Sequence, residues 1–178
     1  MVDPIAFTDA SFGILPERRS VKAHILKTCK ESGCVMASCK AIKNTVENVF
    51  EAELMALNEG INDMKFVHNV VDELDYPQVM QSRKIMNDTE SGATWIKGGP
   101  TGVKSRHAEV RMWKARHEVR DGNVSMEQVP TVDNEADLIS KIATRAVYDR
   151  LAPKILGHSL GKHLPIRGVM KIEEEDKM

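Results

Sequence analysis

The sequence predicts a mixed α/β layer, a sheet of several strands crossed on one face by a long helix. Three observations carry this. Two β-prone runs, 21–30 and 34–41, are separated by Glu31-Ser32-Gly33, the spacing of an antiparallel hairpin. From 46 to 74, apolar residues recur at Phe50, Leu54, Leu57, Ile61, Met64, Val71 and Leu74. That step of three and four draws one stripe along a helix. Beyond it, short strand-like and helical patterns alternate.

The chain has 178 residues, which fits one domain with a sizeable core. A formal net charge of −1 excludes a global field that would attract nucleic acid, so any basic surface must be local. Aromatics make up only 4%, and ten Met supply soft core filling instead. No apolar run is long enough to span a bilayer, and the opening MVDPIAFTDA lacks the basic-then-apolar order of a secretory signal. Cys29, Cys34 and Cys39 are odd in number and match no C-x-x-C pattern. They are expected to be reduced, mostly buried thiols of a cytosolic-type compartment, in preference to a zinc site made with His24.

Taken in order, Ile5-Ala6-Phe7-Thr8 reads as a first strand ending in Asp9. Pro16 to Arg19 is a polar connection. Along 21–30, Ala23, Ile25 and Lys27 share one face, and His24, Leu26 and Thr28 the other. The strand 34–41 puts Val35 and Met36 on opposite faces. In the long helix, Gly60 falls off the apolar stripe. Glu53 lies roughly 60° from the stripe's centre and Glu51 roughly 100°, so Glu53 is the better placed to face what the helix packs on. Ordinarily both would be solvated charges. Asp75-Tyr76-Pro77 ends the helix.

Ser82–Asn87 reads as a further strand that delivers Asp88 to its end, where Asp88 is also a good N-cap for a short helix through Trp95 and Ile96. A glycine-rich loop, 98–102, lacks phosphate-loop spacing. The helix expected over 104–120 has an apolar stripe of Ala108, Met112, Ala115 and Val119. Beside it runs a basic stripe of His107, Arg111 and Lys114, led in by Lys104 and Arg106. Such a stripe is either a solvated face or a contact for a phosphate backbone. Trp113 suits packing better than stacking on nucleic acid. Val124–Val129 alternates as a strand. Then Asp137 opens an apolar-periodic segment, Leu138, Ile139, Ile142 and Ala146, at a position the helix dipole favours for a negative charge. A helical end through Leu156 stops at Gly157. The domain is expected to span 1–157, with 158–178 a charged and partly disordered extension.

Asp9 and Asp88 thus stand at strand ends, Glu53 on the inner side of the crossing helix, and Asp137 at the start of a late helix. Each has an ordinary explanation. Together they are four carboxylates at landmarks where one metal cluster could form.

These residues carry a resemblance. From about Phe7 to about Gly157 the chain is similar to the ribonuclease H domain at the end of copia-type retrotransposon polyproteins. The matching pieces are TDASFG at 8–13, ERRS at 17–20, EAELMAL at 51–57, NDTES at 87–91, KSRHAEVRMW at 104–113 and VPTVDNEADLISK at 129–141. Each is weak alone; six in order at family-like spacings are specific. The resemblance implies a ribonuclease H-like five-stranded mixed sheet with helices on both faces, and endonucleolytic hydrolysis of the RNA strand of RNA–DNA hybrids during reverse transcription.

By the family pattern Asp9, Glu53, Asp88 and Asp137 would be both the catalytic and the metal-binding residues, holding two Mg²⁺ ions, with Mn²⁺ as a substitute. Hard cations prefer oxygen ligands, and two ions about 4 Å apart can clamp the attacking and leaving oxygens. Asp9 would bridge both ions, Asp137 would serve the nucleophile-side ion, and Glu53 and Asp88 the other. Lys104, Arg106, His107, Arg111 and Lys114 would contact the hybrid. The implied partners are that hybrid and a reverse transcriptase domain of the same polyprotein, with no membrane; the implied location is the cytoplasm or a retroelement particle.

Some positions depart from the broader family. Cellular ribonucleases H carry a His before the last Asp, and Thr131-Val132-Asp133 stands there instead. Asn48-Val49-Phe50 replaces the small hydroxyl residues usual before the first Glu, and a Trp of the third strand is replaced near Ser38. With no reverse transcriptase or integrase segment, the chain is expected to be a polyprotein fragment or an isolated remnant. Two other functions stay open: a nucleic-acid-binding remnant with little or no catalysis, and a DNA nuclease or recombinase on the same fold.

Overall fold

The computed structural model describes residues 3–43, 46–74, 83–89, 96 and 106–157, with only the backbone of Arg106 and His107. Within these residues the strands are β1 (Ile5–Ser11), β2 (Val21–Lys27), β3 (Cys34–Ala41), β4 (Lys84–Asn87) and β5 (Ser125–Gln128). They form one sheet in the order β3-β2-β1-β4-β5. β1, β2 and β3 pair antiparallel; β4 and β5 join in parallel to β1 and to each other. The helices are α1 (Val49–Glu73), α2 (Arg106–Arg120), the four-residue α3 (Asp137–Ser140) and α4 (Arg145–Leu156). The expected extension at 158–178, the glycine-rich loop at 98–102 and Lys104 lie outside the described residues.

α1 begins where Asn48 caps it, its side chain accepting the Glu51 N–H at 2.9 Å. Its stripe is buried at Leu54, Leu57, Ile61 and Met64 and fades to an exposed Leu74 at the C-terminal end. These residues join Ala6, Leu26 and Ile85 of the sheet, and Ala108, Met112 and Ala115 of α2, in the main core. Gly60, although off the stripe, sits against the sheet: a Cβ there would lie 2.8 Å from Thr8 Cγ2. The helix therefore crosses β1 at the closest approach a glycine permits. Polar ties hold it in place. Lys22 and Lys40 donate to Glu59 at 2.8 Å and 3.0 Å, and His24 Nε2 lies 2.6 Å from Asp63 Oδ2.

On the opposite face, Ile5, Phe7, Val129 and Ala136 form a second apolar cluster under the segment that leads into α3. Lys27 is only 1% exposed. Its ammonium donates to the Glu135 carboxylate at 3.1 Å and 3.3 Å and to the Lys154 carbonyl at 2.9 Å, fastening β2 to this segment and to α4.

The expected continuous helical pattern after Asp137 is broken. α3 ends at Ser140, Lys141 is extended, and Ile142 is 99% exposed before Thr144 caps α4. Ile142 satisfies the helical period in sequence but lies on no buried face. Other bounds shorten: β2 stops at Lys27, where its register with β3 shifts, β4 starts at Lys84, and β5 loses Val124 and Val129 to its flanks.

Candidate metal centre

β1 is the point where the sheet order reverses, with β2 on one side and β4 on the other. Ligands in open α/β sheets gather outside strand carboxyl ends at such points. The β1–β4 pairing runs from Ile5 with Lys84 to Phe7 with Met86. Past it, side chains take over. The Asn87 amide donates to the Thr8 carbonyl at 3.3 Å and to Thr8 Oγ1 at 3.2 Å, and the Asn134 amide donates to the same carbonyl at 3.0 Å. Thr8, Asn87 and Asn134 are all buried. Two amides from distant segments thus fix β1 one residue before Asp9, β4 one residue before Asp88, and the chain three residues before Asp137.

Asp9, Asp88 and Asp137 each bring a carboxylate oxygen within 4.8 Å of the others. Asp9 is buried at 1% exposure, and Asp88 and Asp137 are half-buried. Burial pushes the Asp9 carboxyl up to about 6; contact with Ser140 and the charge of Lys141 pull it down, while Asp137 and Asp88 push it further up. Ser140 Oγ donates to Asp9 Oδ2, and the Lys141 ammonium contacts the Asp137 carboxylate and lies 3.4 Å from that of Asp9. Burial works against the Lys141 ammonium, but its contact with Asp137 and the charges of Asp9, Asp137 and Asp88 outweigh this and raise its pKa.

Glu53 lies beside this cluster, outside the group of three. Its Oε1 accepts the Ala10 N–H at 3.3 Å and its Oε2 the Asn87 amide at 3.3 Å. Burial lifts its carboxyl to about 8; the charge of Asp9 and then of Asp88 add to this, against the Asn87 and Ala10 hydrogen bonds. Glu51 is also buried, but it turns back to accept the Glu47 N–H at 2.9 Å and serves the start of α1. The ordinary reading of both as solvated charges does not hold; the helical wheel's preference for Glu53 as the inward-facing one agrees with its contacts.

The donor set suits a hard divalent cation. Three carboxylates converge, their repulsion helps raise Asp9, and a lysine ammonium already stands against two of them. Periodicity and spacing do not disclose the roles of Asn87, Asn134, Ser140 and Lys141. The available signal was adjacency: Asn87 precedes Asp88, and Lys141 follows Asp137 by one helical turn.

Of the basic residues, Lys104 lies outside the described residues, as do the side chains of Arg106 and His107. Arg111 is half-buried, and its carbonyl accepts the Asn58 amide at 3.1 Å. Lys114 is exposed and donates to Asn62 of α1 at 2.6 Å. Trp113, expected to pack, is 47% exposed, with the Arg116 guanidinium 5.3 Å from its ring centre.

No family model matches the chain. It is 24% identical over 158 residues to the retrovirus-related Pol polyprotein from transposon TNT 1-94 of Nicotiana tabacum. The match takes in 87% of this chain and 12% of that polyprotein, so the chain spans about an eighth of its curated relative. Among solved structures, LC11-RNase H1, isolated from compost by a metagenomic approach, superposes with a TM-score of 0.60 at 20% identity, over 78% of this chain and 93% of that one. The same enzyme in complex with an RNA/DNA hybrid gives 0.58 at 18% identity, over 77% and 93%. The N-terminal ribonuclease H domain of a Mycobacterium tuberculosis protein gives 0.56 at 16% identity, over 86% and 96%.

Proposed function

The chain has a ribonuclease H-like fold and a distant similarity to a copia-type Pol polyprotein, and from these premises we propose that it is a metal-dependent endoribonuclease acting on the RNA strand of RNA–DNA hybrids. The observation that carries this reading is the convergence of Asp9, Asp88 and Asp137 at the end of β1 and β4. These three, with Glu53 beside them, would hold Mg²⁺ or Mn²⁺. Bound there, the metal would supply Lewis-acid polarisation of a phosphoryl oxygen and a more acidic water.

The chain's own residues do the rest. Asn87 and Asn134 hold β1 and β4 so that Asp9 and Asp88 face one another. Ser140 orients the Asp9 carboxylate. Glu53, tied by the Ala10 N–H and the Asn87 amide, keeps a second carboxyl next to Asp9 and Asp88. Its raised pKa makes it a proton carrier near neutral pH until a cation arrives. Lys104, Arg106, His107, Arg111 and Lys114 would meet the phosphate backbone along one side of α2. The chain would then act as one part of a larger reverse-transcribing polyprotein, in keeping with its similarity to a Pol polyprotein.

The test is substrate choice. Labelled RNA–DNA hybrid, duplex RNA and duplex DNA are offered with Mg²⁺ or Mn²⁺. Cutting confined to the RNA strand of the hybrid supports the proposal. Cutting of duplex DNA points to a DNA nuclease on the same fold, and hybrid binding without cutting in either metal points to a binding remnant.

A further inference from the structure

The acidic cluster carries its own cation. The Lys141 ammonium contacts the carboxylates of both Asp9 and Asp137, two of the three that converge. It comes from the first residue after α3, in an extended backbone (φ −126°, ψ 162°), next to the 99% exposed Ile142. Its side chain is 42% exposed whereas that of Asp9 is 1% exposed. The lysine therefore reaches in from solvent and can withdraw without disturbing packed residues. Ser140, one position earlier, keeps α3 bound to Asp9 independently.

We infer that Lys141 is an internal counter-cation that occupies the carboxylates of the metal centre and has to leave them when a divalent ion binds. The inference rests on the metal-centre reading above and adds a residue that sets how much metal the site needs. In the apo protein the ammonium offsets the repulsion among Asp9, Asp88 and Asp137. On loading, ammonium and metal compete for the same oxygens, so the apparent affinity is reduced by the fraction of molecules in which the lysine is engaged. A tie whose only task is to hold α3 against β1 makes the opposite prediction: its removal loosens Asp137 and weakens metal binding.

The experiment measures Mn²⁺ affinity of the full chain by electron paramagnetic resonance or calorimetry, for wild type, Lys141→Met and Lys141→Arg, with no nucleic acid present. Lys141→Met is expected to bind Mn²⁺ about tenfold more tightly, the change that follows when about a tenth of wild-type molecules have the lysine disengaged. Lys141→Arg, which keeps the charge, should stay near wild type. A second readout uses the wild-type chain alone. Mn²⁺ should increase acetylation of Lys141 by acetic anhydride, followed by mass spectrometry, because the released amine faces solvent. Unchanged or weaker Mn²⁺ binding by folded Lys141→Met, or acetylation that metal leaves unaltered, overturns the inference and leaves the metal centre standing. Absence of Mn²⁺ binding in all three chains overturns the metal-centre reading and this inference with it.

Discussion

Asn87 has the largest number of duties at the site. Its side-chain amide N–H groups serve the Thr8 carbonyl, Thr8 Oγ1 and Glu53, while its Oδ1 accepts the Thr89 N–H at 2.8 Å. Asn87→Ala leaves those buried groups without this donor, a loss of roughly 1–3 kcal/mol in unfolding free energy that denaturant titration should register. The carboxyls themselves make stability depend on pH. A folded carboxyl with a raised pKa keeps its proton where the unfolded chain has lost it, so the folded state binds more protons and stability falls as pH rises. For Asp9 the window runs from 3.8 to about 6, and for Glu53 from 4.5 to about 8. The groups facing them are Asp88, Asp137, Ser140, Lys141, Asn87 and the Ala10 N–H. In EDTA, Tm is therefore expected to drop steadily from about pH 4 to about pH 8. Glu53→Gln should flatten the upper half of that slope, and a slope unchanged by the substitution would contradict the burial argument.

At the scale of elements, the close crossing of α1 over β1 positions Glu53. Gly60→Ala pushes a methyl to within 2.8 Å of the buried Thr8 side chain. The expected cost is about 1–3 kcal/mol from overpacking, read as a lower denaturation midpoint with the m-value unchanged. On the other face, Lys27→Met removes the buried ammonium shared by the Glu135 carboxylate and the Lys154 carbonyl and is expected to lower stability. Both variants can be followed by thermal unfolding.

Elements also separate what the sequence discloses from what it hides. The sequence discloses β3 with its observed ends, Cys34 and Ala41, because alternation and the flanking turn are local signals. The stripe from Leu54 to Met64 was legible for the same reason. The break at Ser140 was not: Leu138, Ile139 and Ile142 keep helical spacing, and only contacts of Ser140 and Lys141 with Asp9, more than 130 positions away, show why the chain turns out. Alternation puts Lys27 on its strand, yet its burial depends on Glu135, 108 positions on. Periodicity reports which face is buried; it is blind to polar pairs that close over long separations.

Over the whole molecule, a net charge of −1 leaves affinity for nucleic acid to local cations. If Arg111 and Lys114 meet the phosphate backbone, Arg111→Ala with Lys114→Ala should weaken hybrid binding and reduce its dependence on salt by about two counterions. No helix among the described residues is long and apolar enough to cross a membrane. The fold brings Asp9, Asp88 and Asp137 together from β1, from the end of β4 and from α3, and under the proposed function these three acids hold the metal that cuts RNA. The most direct measurement is cleavage of a labelled RNA–DNA hybrid with Mg²⁺ or Mn²⁺, run beside an EDTA control and an Asp88→Asn variant shown by circular dichroism to be folded. RNA-strand cutting should require metal and be lost in the variant; cutting that survives EDTA or Asp88→Asn rules out a metal centre at these acids.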